Sequence, residues 1–195
     1  MDKKGEYLSI FEKYIKRSGA DELKNYLLRS DFFQAPASTR YHCAFEGGLC
    51  EHSVNVYKRL LAIVQNEYGD GWKKVYSHET VAVCGLLHDL CKIDFYKQDY
   101  RNVKENGEWI KKPYFMREES LPFGHGEKSV YIANSFIRLT REEAMAINWH
   151  MGGFDSRVKG GDGSISDAYY RFSLAVFLHV ADLEATYIDE KRGLH

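Results

Sequence analysis

The chain has 195 residues, 44% of them hydrophobic, and a formal net charge of -1 at pH 7. A chain of this length and composition can bury one sizeable core, which favours a single domain over two small ones. The balanced charge argues against long duplex nucleic acid as a partner, because neutralising its phosphates requires many Lys and Arg contacts. Small anions can still bind at local clusters of basic residues.

The beginning of the chain and its cysteines indicate the cellular compartment. The stretch MDKKGEYLSIFEKYIKR carries charges at every turn, so it lacks the apolar core of a signal peptide, and no later stretch is suited to span a bilayer. The four cysteines include no Cys-x-x-Cys pair, and thiols of a chain without an export signal stay reduced. We therefore expect a cytoplasmic protein with no membrane partner and no disulfide framework.

Apolar residues at helical spacing predict three helices in the first part of the chain. The residues that share a face in the first two helices are Leu8, Phe11 and Ile15, then Leu23, Tyr26 and Leu27. Both helices are expected to pack on the outside of the core. A longer helix is predicted from Gly48 to Tyr68, and the Gly-Asp-Gly at 69–71 ends it with residues that tolerate left-handed geometry.

Capping residues predict the helices further along the chain. Ser77 is the expected N-cap of the helix that leads into GLLHDL. In TREEAMAINWHMGG, Thr140 and Glu143 form a capping box, and two glycines follow the end of the helix. The last helix is predicted to run from about Ala168 to about Asp189.

One segment, YRNVKENGEWIKKPYF, interrupts the helical pattern. Asn106-Gly107 stands between short runs of β-branched and aromatic residues, which predicts an inserted β-hairpin at 97–116 with a type I′ turn. Basic residues such as Arg101 alternate here with aromatic residues such as Tyr96, a mixture suited to stacking a base and holding phosphates. The alternative, somewhat favoured, is an ordinary hairpin with its aromatic side on the helices and its lysines in water.

Histidines and aspartates occupy helix positions where polar side chains are unexpected. In GLLHDLCKID, His88 and Asp89 directly follow an apolar helical run. Neighbouring helix residues point about 100° apart, so an ordinary amphipathic helix would not place two adjacent polar side chains at the edge of its buried face. Asp182 lies within the apolar run SLAVFLHVADLEA, where a buried carboxylate requires a cation or hydrogen-bond donors. A lone buried histidine is more often a hydrogen-bonded core residue than a ligand. As a set, however, these residues offer ligands from separate elements to a central metal site. The candidate ligands are His52, His88, Asp89, His125, His150 and Asp182.

The order of these residues resembles that of the HD-domain superfamily of metal-dependent phosphohydrolases. YHCAFEGGLCEHSVNV and GLLHDLCKID are particularly similar to the HD domains attached to bacterial 3′ to 5′ exoribonucleases and to small phage-encoded or bacterial HD hydrolases. The resemblance implies an all-α HD-domain helical bundle with a small β-hairpin insertion. It implies one HD domain over 1–195, with N-terminal packing helices at 1–40 and an HD core at 41–189.

The resemblance also implies a role for each candidate ligand. The first metal ion would be held by His52, His88, Asp89 and Asp182. His125 and His150 match the extra histidines of the branch that binds a second ion, with Asp89 bridging the two. The metal pair would activate a hydroxide, and Lys92, at the position of the motif lysine, would offset charge on the phosphate. Asp89 and Lys92 are thus the predicted catalytic residues. Nitrogen and oxygen ligands accept Mn²⁺, Fe²⁺, Co²⁺, Ni²⁺ or Zn²⁺ without selecting among them.

Cys91 departs from the family pattern, which has a small flexible residue before the motif lysine. It falls one turn beyond His88, on the face shared with Cys84. Two small buried apolar side chains are the favoured interpretation, ahead of thiolate ligands, while sensitivity to oxidation stays open.

Four further histidines lie outside the ligand set. His42 is expected either to line the entrance of the site or to make a structural hydrogen bond. His179 stands one turn before Asp182 and is a candidate to support it. His78 and His195 are expected at the surface.

The predicted substrate is a small phosphorylated molecule, namely a nucleotide or short oligonucleotide whose phosphate mono- or diester is cleaved. The predicted substrate-binding residues are Lys92, Tyr96, Arg101, Arg157 and Lys159. The last two belong to the glycine-rich segment 152–166, which either closes over a phosphate or is merely a mobile surface loop.

Two other functions are compatible with the same residues. Some HD-domain proteins with this set of histidines and aspartates hold a mixed-valent di-iron pair and activate oxygen. A non-catalytic module that binds a nucleotide for regulation is the third hypothesis, although it requires an impaired site and no ligand position is missing here.

Overall fold

The computed structural model describes residues 2–190, which form helices and a single antiparallel β-hairpin. The helices are α1 (Lys3–Tyr14), α2 (Ala20–Arg29), α3 (Gly48–Tyr68), α4 (Trp72–Val75), α5 (His78–Leu87), α6 (His125–Asn134), α7 (Arg141–Trp149), α8 (Ser156–Lys159), α9 (Ser164–Arg171) and α10 (Ser173–Glu184). The strands are β1 (Tyr96–Glu105) and β2 (Glu108–Arg117). The mostly helical fold class with a hairpin insertion is thus confirmed.

The ends of the predicted single domain, at residue 1 and at 191–195, lie outside the described residues, as does His195. Within residues 2–190, no helix is both long and apolar enough to cross a membrane.

Local capping signals are confirmed where they were predicted. Helix α3 has the predicted bounds, and Gly69 follows it with a positive φ of 54°. At the start of α5, the Ser77 hydroxyl accepts a hydrogen bond of 3.0 Å from the Thr80 amide. Thr140 and Glu143 form the predicted reciprocal capping box of α7. These helix ends are set by side chains close in sequence, which is why the sequence reveals them.

The final helical segment differs from the predicted continuous helix between about Ala168 and about Asp189. The backbone breaks at Phe172, with φ -131° and ψ 89°, so that α9 and α10 are separate helices. A π-helical turn at Ala185–Asp189 ends the segment. The Phe172 side chain packs against the core, so the apolar pattern runs through the break and contains no stop signal.

Five of the described helices, α3, α5, α6, α7 and α10, pack together at the centre of the molecule. Helix α3 packs against both α5 and α10, and α7 packs against α5, α6 and α10. The N-terminal helices, predicted as outer packing helices, also contribute buried side chains to this core, among them Tyr7, Phe11, Leu23 and Leu27. The buried Tyr7 hydroxyl donates a hydrogen bond of 3.2 Å to the Leu86 carbonyl, which joins α1 to the end of α5.

The hairpin has the predicted turn and extends one residue beyond each predicted end. Its strands pair from Tyr96 with Arg117 to Glu105 with Glu108. Asn106 and Gly107 between them both have positive φ, 50° and 88°, as a type I′ turn requires.

The favoured interpretation, with the aromatic side of the hairpin on the helices, is wrong for two of its largest side chains. Tyr100 is 61% exposed and Trp109 is 71% exposed, whereas Tyr96 and Tyr114, nearer the helices, are half-buried. Alternation along a strand identifies two faces but does not show whether another element covers one of them. The hairpin therefore projects from the helical body.

A buried ion pair ties the connection between α1 and α2 to α7. Arg17 donates hydrogen bonds of 2.8 and 2.9 Å to the two carboxylate oxygens of Glu143, whose side chain is fully buried. Burial opposes ionisation of this carboxyl, but Arg17 and the Thr140 amide hold the pKa of Glu143 below its ordinary value. The pair therefore stabilises the fold fully above the ordinary glutamate pKa, and this stabilisation is lost as the pH falls through the lower folded-state pKa.

We expect Glu143→Gln to lower the free energy of unfolding by about 2 kcal/mol at pH 7, because it removes the charge from two hydrogen bonds with Arg17 and leaves the more exposed Glu79, 3.4 Å away, as the acidic partner of that guanidinium. The difference from wild type should shrink as the pH falls from the ordinary glutamate pKa of about 4.3 through the lower folded-state pKa, because the wild-type carboxyl then becomes neutral as well. Urea unfolding at several pH values measures both effects. Glu12→Gln, in an exposed pair with Lys24, is the matched control and should change stability little. Equal effects of the two substitutions would contradict this account.

Candidate metal centre

A close approach of α3 and α5 brings two histidines together. Gly85 faces α3 so closely that a Cβ there would lie 2.5 Å from the Tyr57 Cα, so a larger residue would force the helices apart. His52 lies on α3 and His88 directly follows α5. Their Nε2 atoms are 3.3 Å apart in the buried centre of the molecule.

A second close approach, between α6 and α7, positions two more histidines. A Cβ at Gly126 would collide with the Asn148 carbonyl, so these helices also require a glycine at their contact. His125 is the first residue of α6, and His150 directly follows α7. Their ring centres are 5.3 Å apart.

Backbone carbonyls fix the orientation of two of these rings. His88 Nδ1 is 3.0 Å from the Gly85 oxygen, and His150 Nδ1 is 2.7 Å from the Ile147 oxygen. Since a carbonyl oxygen only accepts, each Nδ1 carries the proton and donates it. Burial lowers the pKa of His88 to about 3, so neutral His88 presents the lone pair of Nε2, the form in which imidazole binds a metal ion. Burial also opposes a charge on His150, but Asp89 outweighs it and raises the pKa of His150, so a cation that binds at its Nε2 competes with a proton.

His52 is oriented by a carboxylate that the sequence did not reveal. Its Nδ1 is 3.1 Å from both Glu190 oxygens, and the Asn55 amide donates a hydrogen bond of 2.9 Å to the same carboxylate. Glu190 lies one residue beyond the predicted core and, as an acid after a helix, gives no distinctive signal. Burial opposes a charge on His52, but hydrogen bonds with Asp182 and Glu190 outweigh it and raise the pKa of His52 to about 10. Its Nε2 thus holds a proton that a metal cation can replace.

The Asp89 carboxylate lies at the centre of these side chains and is 2% exposed. The nitrogen atoms around it are Lys92 Nζ at 2.6 Å, His125 Nε2 at 2.8 Å, His88 Nε2 at 3.5 Å, His150 Nε2 at 3.5 Å and His52 Nε2 at 3.6 Å. Burial opposes its ionisation, but the positive charge of Lys92 holds the pKa of Asp89 well below its usual range. The site therefore contains a buried, ionised carboxylate.

Asp182, on α10, completes the set of predicted ligands. Its Oδ1 is 3.2 Å from His52 Nε2, and its side chain is 16% exposed, so it lies at the edge of the buried region. Burial opposes ionisation, but the hydrogen bond with His52 holds the pKa of Asp182 below its ordinary range. All six predicted ligands are thus brought together, and we call them the Asp89 cluster.

The donor atoms of the Asp89 cluster fit a metal ion. Among the described residues, three overlapping groups of this cluster offer ligand atoms that all lie within 4.8 Å of one another. These groups are His52 with His88 and Asp89, His88 with His150 and Asp182, and Asp89 with His125 and His150. The buried Nε2 of His150 has no hydrogen-bond partner among the described residues, and buried polar atoms without a partner are rare. The cluster can therefore hold one or more metal ions.

His42 lies beside the Asp89 cluster and is half-buried. Its ring centre is 4.7 Å from that of His52, and it forms a further potential ligand group with His52 and Glu190. Its Nε2 is buried, and no residue in 2–190 makes a hydrogen bond with this atom. Burial lowers the pKa of His42 to about 4.

Cys91 contacts the cluster, whereas the sequence favoured an ordinary apolar role. Its Sγ is 3.3 Å from His125 Nε2 and 3.8 Å from Asp89 Oδ1. Burial, with the Asp89 charge, raises the pKa of the Cys91 thiol. Cys84, which the sequence predicted to lie on the same helix face as Cys91, is fully buried within α5.

The other histidines have structural contacts. His179, a candidate to support the ligands, donates from Nδ1 to the carbonyl of His150 at 2.6 Å. His78 was predicted at the surface but is half-buried. Its ring stacks on Tyr14 with centres 3.6 Å apart, and its Nε2 is 2.8 Å from the Tyr57 hydroxyl.

The predicted substrate-binding residues occupy different places. Lys92 belongs to the buried site through its ion pair with Asp89. Tyr96 donates from its hydroxyl to the Ala37 carbonyl at 3.3 Å. With the exposed Arg101 it lines a groove of about 730 Å³ between the hairpin and segment 31–46.

Arg157 and Lys159 make no described contact with the cluster. The Arg157 guanidinium, on α8, donates to Asp155 at 2.7 Å and to Glu127 at 2.8 Å, so it joins α8 to α6. Lys159 is exposed, with Nζ 5.8 Å from the centre of the Phe154 ring. Their roles in phosphate binding stay predictions.

Comparison of the chain with protein-family models, with curated proteins and with solved structures found no match. The resemblance to the HD-domain superfamily therefore stays a prediction, and the chemistry of the Asp89 cluster is the basis for a function.

We expect Glu190→Ala to weaken divalent cation binding by about 10- to 100-fold, because a carboxylate that orients a ligating histidine also raises its basicity. Glu190→Gln keeps a hydrogen-bond acceptor and should recover part of the affinity. Titration of metal-free protein with Zn²⁺ against a chelating dye measures the change. Glu184→Gln is the control, since that carboxylate pairs with Arg59 outside the cluster. Unchanged affinity in Glu190→Ala would refute the role assigned to this residue.

Proposed function

We propose that this chain is a metal-dependent phosphohydrolase of the HD-domain kind. It cleaves a phosphate mono- or diester, and its substrate is a nucleotide or short oligonucleotide. The observation that carries the proposal is the placement of the two oxygen atoms of the buried Asp89 carboxylate, each of which faces a different pair of histidines.

The two sides of Asp89 support two neighbouring cation sites. Oδ1 lies 2.8 Å from His125 Nε2 and 3.5 Å from His150 Nε2. Oδ2 lies 3.5 Å from His88 Nε2 and 3.6 Å from His52 Nε2. A carboxylate with histidines on both oxygens is suited to bridge two metal ions.

The charge of the cluster favours an anionic substrate once cations are bound. Two carboxylates, Asp89 and Asp182, face the positive charges of Lys92 and of His52, whose raised pKa keeps it protonated, so these four groups balance one another. Two divalent ions would make the cluster positive, even after one of them displaces the His52 proton. They would also lower the pKa of a bound water and polarise the phosphoryl oxygens.

Lys92 supplies a fixed positive charge beside the reaction site. Its side chain is buried, and its Nζ lies 2.6 Å from Asp89 Oδ2. Burial opposes this charge, but Asp89 outweighs it and raises the pKa of Lys92, so the amine stays protonated at neutral pH. A charge already in place can stabilise a phosphoryl oxygen without rearrangement of the site.

The surroundings of the hairpin support a nucleotide rather than a simpler phosphate ester. Tyr100 and Trp109 are largely exposed and offer faces on which a base can stack. Arg40 and Arg101 line the groove at the base of the hairpin and can contact phosphates. This combination fits a short single-stranded ligand better than a long duplex.

A mixed-valent di-iron oxygenase is the alternative that the same ligands accommodate, because imidazole and carboxylate also bind iron. The buried Lys92 favours phosphate chemistry. Turnover that depends on oxygen and on stoichiometric iron would identify the oxygenase. A non-catalytic regulatory module fits less well, since all six predicted ligands lie in one cluster.

We expect phosphate or nucleoside release from at least one member of a panel of nucleotides, cyclic nucleotides and short oligonucleotides in the presence of Mn²⁺. Asp89→Ala should lower this rate by at least about 100-fold, because it removes the carboxylate common to both sites and several kcal/mol of metal-dependent stabilisation. Chelation by EDTA should have the same effect.

The matched control is Asp70→Ala, which removes an exposed carboxylate in the turn after α3 and should leave the rate unchanged. Absence of turnover across the panel by metal-loaded, folded protein would count against the hydrolase. Turnover that survives Asp89→Ala would show that the chemistry takes place elsewhere.

A further inference from the structure

The Cys91 thiol lies at the edge of the His125 side of the cluster. Its Sγ is 3.3 Å from His125 Nε2 and 3.8 Å from Asp89 Oδ1, and the residue is buried. The main-chain amide of Cys91 donates a hydrogen bond of 3.0 Å to the Ser129 hydroxyl. Both the backbone and the thiol of this residue are therefore fixed by the site around them.

Helix α6 determines this placement. His125 and Ser129 are four residues apart on α6 and share one of its faces, so the helix contacts Cys91 twice. His125 meets the sulfur, and Ser129 holds the short 3₁₀ turn at Leu90–Lys92 that carries Cys91. The distance between the sulfur and the imidazole is thus set by the contact of two structural elements.

The unsatisfied Nε2 of His150 independently indicates a ligand on this side of Asp89. His150 is fully buried, and within the described part of the chain its Nε2 has no hydrogen-bond partner, although Asp89 Oδ1 lies 3.5 Å away. Together with Asp89 and His125, it offers three ligand atoms within 4.8 Å of one another. Tetrahedral sites of Zn²⁺ take a fourth ligand, and thiolate sulfur is one of the usual donors.

We propose that Cys91 is a sulfur ligand of the cation held by Asp89, His125 and His150. This inference rests on the metal-dependent function proposed above. When the cation binds, the S–H bond is replaced by a bond from sulfur to the metal, and the proton leaves to solvent.

A sulfur donor would make the two sides of Asp89 chemically different. The side formed by His52, His88 and Asp182 offers only nitrogen and oxygen donors, whereas the His125 side adds a soft thiolate. Soft ligands favour Zn²⁺ or Co²⁺ over Mg²⁺ or Mn²⁺. The His125 side therefore selects a soft metal such as Zn²⁺ or Co²⁺, whereas the ligands of the other side make no such selection.

Cobalt alone provides a direct test, because a bond between thiolate and Co²⁺ produces a charge-transfer absorption band in the near ultraviolet. We expect metal-free wild-type protein to develop this band when titrated with Co²⁺. Cys91→Ala and Cys91→Ser should both lose it while remaining folded, as monitored by circular dichroism. Cys50→Ala should retain the band, since the Cys50 thiol faces the Lys3 carbonyl at 3.5 Å and lies outside the cluster.

Two outcomes would overturn the sulfur ligand and leave the hydrolase proposal intact. One is cobalt binding to wild type with visible bands but no charge transfer, a result that does not depend on whether the variants fold. The other is a charge-transfer band that survives in Cys91→Ala. A band without any hydrolysis would support the ligand and count against the proposed function. Failure of the wild type to bind cobalt would overturn both.

Discussion

The buried negative charge of Asp89 is the constraint on which the rest of the site depends. Removing a carboxylate from water is costly unless positive charge or hydrogen-bond donors compensate it. Here compensation comes from Lys92 and from imidazoles on four different segments. The two glycine contacts, α3 with α5 and α6 with α7, allow these segments to approach closely enough. The close packing of these helices is therefore what allows the charge of Asp89 to be compensated.

The rings around Asp89 are oriented before any ligand arrives. His88 and His150 have the same arrangement, each following the last residue of a helix and donating to a carbonyl three residues earlier. His52 instead donates to the Glu190 carboxylate, which increases its basicity. Since a metal site loses affinity when its ligands must be ordered on binding, these contacts favour tight binding of a cation. Through these contacts, a residue that does not touch Asp89, such as Glu190, affects the binding of a cation beside it.

The parts of the structure that could be predicted from the sequence are those specified by neighbouring residues. The bounds of α3, the Ser77 and Thr140 caps and the turn at Asn106-Gly107 follow from local preferences. The convergence of the cluster was predicted because polar residues in apolar helices require partners. The break at Phe172 was missed, because the residue keeps the apolar pattern while its backbone leaves the helix.

Contacts between distant segments account for the other differences. Glu190 matters because it contacts His52 on α3, and Cys91 matters because it contacts His125 on α6. Neither residue type nor spacing identifies such a neighbour. The same limit applies to Tyr100 and Trp109, since nothing in their alternation shows that the hairpin projects from the helices.

The most direct test of the central claim is anomalous X-ray scattering from crystals of the metal-loaded protein. The account predicts two peaks that flank the Asp89 carboxylate. One should lie beside Oδ2 with His52 and His88, and the other beside Oδ1 with His125 and His150. Metal ions bound only at sites away from Asp89, or a single peak that involves one oxygen alone, would contradict the shared carboxylate from which the proposed function follows.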